Sequence, residues 1–341
     1  MSQIWNCGLE TAKKTIDAST CRYYRQGDMG ATRRFRPCRD LLRYRQLKVP
    51  AGEFYTDTLF SKVRSSRGYI CAQVYGNKFG FSKAFPMEDH DQQSVGDTLS
   101  VMIQDVGVMP KLHTDNAPEM VGRKTPFFKK ARKEGIDLTS IEPERPNENY
   151  GEIIVRKAKS LTSSIMHRKN VPLRLWCYAM EYACELESLK VPGMYRNKGR
   201  SGYELVFGTT PDISEYVEFE FYDYCWYWDS PQSFPHEKKS LGRWLGVAHR
   251  VGQAMVFYIM NTNGKVIARS TVVPLDPHDF SVQETKVRIS ALDDVIKTSL
   301  GDYRNASEDK TKDIPDISDD DLLGQLRYTF GLEMMTLTHQ S

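Results

Sequence analysis

The sequence has no run of about 20 consecutive apolar residues, so it encodes no helical membrane span. Its opening residues, MSQIWNCGLETAKK, lack the apolar stretch of a secretory signal. No CxxC pair and no HExxH run occurs, and paired His–Cys spacing is absent, which argues against zinc chemistry. The seven cysteines (Cys7, Cys21, Cys38, Cys71, Cys177, Cys184 and Cys225) are odd in number and scattered, so they read as reduced packing thiols and not as a disulfide framework. There is no internal repeat. What remains is the balance of a soluble globular chain: 341 residues, 40% hydrophobic and 27% charged, enough for two or three structural units.

The net charge of +3 hides an asymmetry. Residues 302–321 carry eight acidic and three basic side chains, and the last twenty carry one of each, so the preceding part of the chain holds +8. A basic body with an acidic tail suits a polyanionic partner, although many soluble proteins reach such a charge. Residues 1–50 read as a basic arm with a short helix in TAKKTIDAST, followed by Arg22, Arg25, Arg33, Arg34, Arg36, Arg39, Arg43, Arg45 and Lys48 against Asp28 and Asp40. The arm is either simply solvated or laid on phosphates.

From Gly52 the pattern changes. EFYTDTLFSKV, GYICAQVYGN and FGFSKAFPM are short, aromatic and β-branched, and predict an antiparallel three-stranded meander. DQQSVGDTLSVMIQDVG then predicts a helix, KLHTDN a strand ending in a turn, TPFFKKARKEG a helix closed by Gly135, and IDLTSIEP a strand. Pro143 and Pro146 break the chain before two long helices, from about Glu148 to His167 and over VPLRLWCYAMEYACELESLK. This order predicts an α/β unit over residues 51–192, a mixed five-stranded sheet with helices on both faces. Residues 193–216 read as a Gly/Pro-rich linker. Residues 217–280, with an Asn-Gly hairpin turn, read as a small β-barrel, and 281–341 as a largely disordered acidic tail in which Asp319, Asp320 and Asp321 are solvated linker charges.

Three carboxylates stand out by position. Asp57 lies inside the first strand, Asp115 ends the fourth, and Glu152 sits early in the helix after the prolines. Singly, each has an ordinary explanation: a paired strand charge, a turn residue, a solvated helix glutamate. In the predicted sheet the first and fourth strands are neighbours, and the helix brings Glu152 over their edge. Three converging carboxylates repel one another, and hard divalent cations relieve the repulsion. Oxygen-only ligands suit magnesium or manganese, and two such ions can activate an attacking oxygen and stabilise a leaving one on phosphorus. On the helix, Glu152, Arg156, Lys159 and Ser163 share one face, and Ile154, Ala158, Leu161 and Ile165 line the opposite, sheet-facing one. Arg156 and Lys159 are either a solvated basic face or holders of DNA phosphates.

The blocks FYTDTLFSKVRSSRGY, KLHTDNAPEM and EPERPNENYGEIIVRKAK resemble the three acidic blocks of the DDE integrase core, with its ribonuclease H-like fold. The resemblance is to copia-type retrotransposon integrases, most of all to forms known from diatoms and other stramenopiles. It rests also on the 36 residues between Asp115 and Glu152, on the spacing of Pro143, Pro146, Asn149 and Glu152, on VPLRLWCYAMEYA, and on FEFYDYCWYWD, GRWLGVAHRVG and GKVIARSTVVPL after the core. It covers roughly residues 5–275. It implies that Asp57, Asp115 and Glu152 bind two magnesium (or manganese) ions and carry catalysis, that Asn149, Arg156 and Lys159 contact DNA, and that the enzyme processes 3′ ends of element DNA and joins them to target DNA. It further implies DNA as partner, a homo-multimer, no membrane, no small-molecule cofactor and a nuclear destination. Two features depart from the family. No histidine precedes His90, so Cys7, Cys21 and Cys38 cannot complete a His-His-Cys-Cys zinc module. Tyr150 and Gly151 are unusual choices at a helix start. A lineage without the module, or a fragment of a longer polyprotein, is the expectation. A catalytically silent DNA-binding scaffold and a nuclease that only hydrolyses are the alternatives.

Overall fold

A computed structural model describes residues 1–22, 52–115, 117–140, 150–193, 195–228, 239–251 and 255–301. The meander forms as β1 (Glu53–Phe60), β2 (Cys71–Asn77) and β3 (Ser82–Met87), and it is followed by α2 (Gln92–Asp105), β4 (Lys111–Thr114), α3 (Pro118–Val121), α4 (Pro126–Lys133) and β5 (Asp137–Ser140); α1 (Leu9–Asp17) precedes them all. The strands lie in the order β3-β2-β1-β4-β5. β1, β2 and β3 pair antiparallel, while β4 joins β1 and β5 joins β4 in parallel. This is the mixed sheet expected of a ribonuclease H-like core.

The period-two geometry of a strand sorts β1 between two apolar layers. Tyr55 and Leu59 belong to the layer formed with α5 (Tyr150–Arg168) and α6 (Trp176–Leu189). Phe54 belongs to the layer formed with Val95, Leu99 and Met102 of α2 and Phe127 of α4. β2, flanked by β1 and β3, is buried along its whole length. Local chemistry sets the helix starts. The Asp91 carboxylate accepts from the Ser94 N–H at 2.7 Å, and Thr125 accepts from the Phe128 N–H ahead of Pro126 at the first turn of α4. Gly135, at φ +69°, follows α4 where a left-handed residue is required.

The second sheet consists of β6 (Tyr224–Trp228), β7 (Lys239–Val247), β8 (Phe257–Met260), β9 (Val266–Arg269) and β10 (Val272–Pro274), all antiparallel, in the order β10-β6-β7-β8-β9. The expected barrel is therefore not closed: β9 and β10 are the two edges among the described residues. Helices cover its faces instead. On one side Trp244 meets Tyr182 of α6, with ring centroids 5.4 Å apart. On the other, Arg243 and Tyr224 bond Asp293 of α8 (Gln283–Leu300) at 2.7 and 2.6 Å. α8 falls within the region expected to be a disordered tail. Its polar composition conceals a stripe, Leu292, Ile296 and Leu300, that is buried in the cluster shared by α6 and the second sheet.

Two further segments are docked where the sequence suggested looser chain. The linker carries α7 (Gly202–Phe207), which Ser201 caps and Phe207 anchors against Phe81, with ring centroids 6.0 Å apart. At the start of the basic arm, Trp5 is fully buried and its Nε1 donates to the Tyr216 carbonyl at 2.9 Å. The arm's cations from Arg25 to Lys48 lie outside the described residues, as does the acidic stretch 302–321.

Candidate active site

The site is built where β4 ends alongside the middle of β1. Their parallel register sets Glu53 beside Lys111, Phe54 beside Leu112 and Tyr55 beside His113. Continued by two residues, the same register sets Asp115 beside Asp57, on the face of Tyr55. Asp57 is half-buried, and its Oδ1 accepts the Thr58 N–H at 2.7 Å. Asp115 also performs the turn role open to it: its Oδ1 accepts the Ala117 N–H at 3.2 Å, leading the chain into α3.

The third acid arrives on α5, which is seated by two contacts. Tyr150 rests on Tyr55, with ring centroids 5.2 Å apart, and Lys78 lies over both rings. Ile154 sits over Gly76, the residue paired with Tyr55. A Cβ at Gly76 would lie 2.9 Å from Ile154 Cδ1 and 2.7 Å from the Phe81 carbonyl oxygen, so this approach requires glycine. Glu152, between the two contacts, is exposed. Ile154, Ala158 and Ile165 of the expected stripe are buried and Leu161 is half-buried, while Lys159 and Ser163 are exposed and Arg156 is intermediate. The unusual Tyr150 is thus part of the seat of the helix.

The charges act on one another. Burial, then the charges of Asp115 and Glu152, push the Asp57 carboxyl up to about 6, while the Thr58 N–H and Lys159 oppose the rise. The Asp115 carboxyl is also raised, by burial first and then by Glu119, against the Ala117 N–H and His90. All three predicted acids therefore lie in one electrostatic neighbourhood, with Lys159 at its margin. They are not drawn tightly together: among the described residues, no group of three His, Cys, Asp or Glu side chains could hold a metal ion. Asn149 lies outside the described residues.

Some residues of this neighbourhood escaped the sequence reading. His90 pairs with Glu119 at 2.9 Å beside Asp115. Gln73, wholly buried on β2, bonds the threonines that flank Asp57. A glutamine inside the otherwise apolar CAQVY was the only signal for the second, and nothing in the sequence marked the first. His113, close to Asp115 in sequence, is engaged elsewhere: it stacks on Tyr55 at 4.6 Å, and its Nε2 lies 3.4 Å from Glu53.

No protein-family profile matches the chain, and no curated protein does. Among solved structures, the chain is similar to the catalytic core domain of BIV integrase, at 17% identity over 46% of this chain and 95% of that one, with a TM-score of 0.36. It is likewise similar to the HTLV-2 integrase catalytic core domain in complex with magnesium, at 16% identity over 46% and 97%, TM-score 0.36. A third likeness is to the simian T-cell lymphotropic virus intasome in complex with a PP2A regulatory subunit, at 13% identity over 81% and 98%, TM-score 0.38.

Proposed function

We propose that this chain is a polynucleotidyl transferase of the integrase type, from a copia-type element, that processes the 3′ ends of element DNA and joins them to target DNA in the nucleus as a homo-multimer. What supports it is the mutual influence of the charges across the parallel β1–β4 pair and α5: Asp115 and Glu152 both raise the Asp57 carboxyl and Lys159 lowers it.

The donor set fits hard divalent cations. It offers carboxylate oxygens alone, and Asp57 is held up to about 6 by burial and by two like charges, the strain that a bound cation relieves. Asp57, Asp115 and Glu152 would hold magnesium or manganese, two ions in this reading. When bound, such ions activate an attacking oxygen and stabilise a leaving one at phosphorus. Lys159, with Arg156 and Asn149, would hold backbone phosphates beside the carboxylates and align the scissile bond. In processing, water breaks a phosphodiester near the 3′ end and leaves a 3′-hydroxyl. In joining, that hydroxyl forms a new bond to a target phosphorus while the target 3′-oxygen departs, so bonds made equal bonds broken.

The test is a joining assay with pre-cut DNA ends and magnesium. Asp57→Asn, Asp115→Asn and Glu152→Gln are each expected to abolish joining while DNA binding survives. A second reading, a silent DNA-binding scaffold, draws on the loose gathering of the three acids. A wild-type chain that binds DNA but neither cuts nor joins would establish it, and cutting without joining would identify a nuclease.

A further inference from the structure

Gln73 has no exposed surface, and it stands on β2 beside Thr58, its partner in the antiparallel register. An amide in an apolar layer is costly unless every polar group is bonded, and here the bonds are directional. The Thr56 hydroxyl donates to the Val74 carbonyl at 3.0 Å, so towards Gln73 it can only accept, and it does so from Nε2 at 2.6 Å. That fixes the amide's orientation and leaves Oε1 to accept from the Thr58 hydroxyl at 2.5 Å. Thr58 in turn donates its N–H to Asp57 Oδ1 at 2.7 Å. Nε2 also lies 3.8 Å from Met120 Sδ, on the short helix entered from the Asp115 turn.

We infer that Gln73 is a positioning residue for the acidic site: it grips the threonines on either side of Asp57 and, through the Thr58 hydroxyl, sets the peptide N–H that aims the Asp57 carboxylate. This rests on the proposed reading of Asp57 as an ion ligand. A methionine at position 73 would fill the same space, so packing alone does not call for the amide. Partners that orient a ligating carboxylate alter ion affinity about 10- to 100-fold when removed, without touching the ion.

The experiment measures Mn2+ binding to the full chain directly, by electron paramagnetic resonance without DNA, alongside DNA affinity and thermal stability. Thr58→Val keeps the shape and removes the hydroxyl, Thr58→Ser restores the hydroxyl, and Gln73→Met removes the amide. The expected result is an ion midpoint raised about 10- to 100-fold in Thr58→Val and Gln73→Met, close to wild type in Thr58→Ser, with DNA affinity unchanged. Should Gln73→Met fail to fold, the valine–serine pair at position 58 decides. Equal midpoints for valine and serine, while Asp57→Asn abolishes binding, overturn the positioning role and leave the site reading intact. Unchanged binding in Asp57→Asn overturns both.

Discussion

Asp57 is half-buried inside a strand, within electrostatic reach of two other acids. Its carboxyl titrates at about 6 in the folded chain, against 3.8 for an unconstrained aspartate. A group whose folded pKa is raised contributes stability that is complete below 3.8 and is lost as pH rises through about 6, because the folded state binds the proton more tightly than the unfolded chain. The ion-free protein is therefore expected to weaken between those values, and Asp57→Asn, which cannot ionise, to exceed wild type at pH 7.5 by roughly 1–2 kcal/mol after allowing for solvent screening of a half-buried group. Thermal unfolding in a chelator at several pH values checks this. Millimolar Mg2+ should close the gap by stabilising wild type alone, and a variant no more stable than wild type at pH 7.5 would count against the raised carboxyl. The nearness of Asp57, Asp115 and Glu152 was foreshadowed in the sequence, because a charge inside a strand, a charge at a strand end and a charge early in a helix occupy recognisable places, and in the fold the second and third both raise the first; their role is the one proposed above. Gln73 and the His90–Glu119 pair were not foreshadowed, because their meaning lies in partners on other elements.

At the scale of elements, Glu152 comes within electrostatic reach of Asp57 because α5 lies close on the sheet. Gly76 permits that, with Ile154 Cδ1 and the Phe81 carbonyl where a side chain would begin. Gly76→Ala is expected to cost about 1–3 kcal/mol as an overpacked contact, and to lower joining activity more than a loss of stability alone explains, since the displaced helix carries Glu152. Denaturant midpoints measured beside activity at a temperature where the variant is fully folded separate the two effects. Normal activity there would mean that the seat of the helix does not set the site. The meander strands were readable because each is a short aromatic and β-branched run set between turn residues, and α2 and α5 because their apolar residues recur at helical spacing. α8 was not. Its buried stripe of Leu292, Ile296 and Leu300 is set among charged residues, and only the exposed face of the second sheet gives that stripe something to cover.

At the scale of the whole molecule, the sequence reads as a core, a linker and a separate barrel, but the described elements belong to one compact unit, Met1–Ser307. Patterning reveals which face of an element is apolar without revealing which other face meets it. Here Phe219, Trp244 and Phe257 of the second region enter the same apolar cluster as Tyr182 and Leu186 of α6. Arg67 adds a polar joint: from the β1–β2 loop it bonds Glu181 at 3.0 Å, stacks 3.7 Å above Tyr178 and lies 5.3 Å from Tyr258 of the second sheet. A burial so shared makes one cooperative unit out of two sheets. Far-ultraviolet dichroism, which follows the helices of the core, and tryptophan fluorescence, weighted to Trp226, Trp228 and Trp244 of the second sheet, should then give coincident denaturant transitions. Arg67→Met should shift both together by about 1.5–3 kcal/mol, the scale of a charge-assisted hydrogen bond. Two separated transitions, or a shift in the fluorescence curve alone, would mean that the sheets fold independently and that the joint is only a contact. If the transitions coincide, the second sheet is part of the scaffold on which Asp57, Asp115 and Glu152 are held, and its loss would be felt at the acidic site without any residue of the site being changed.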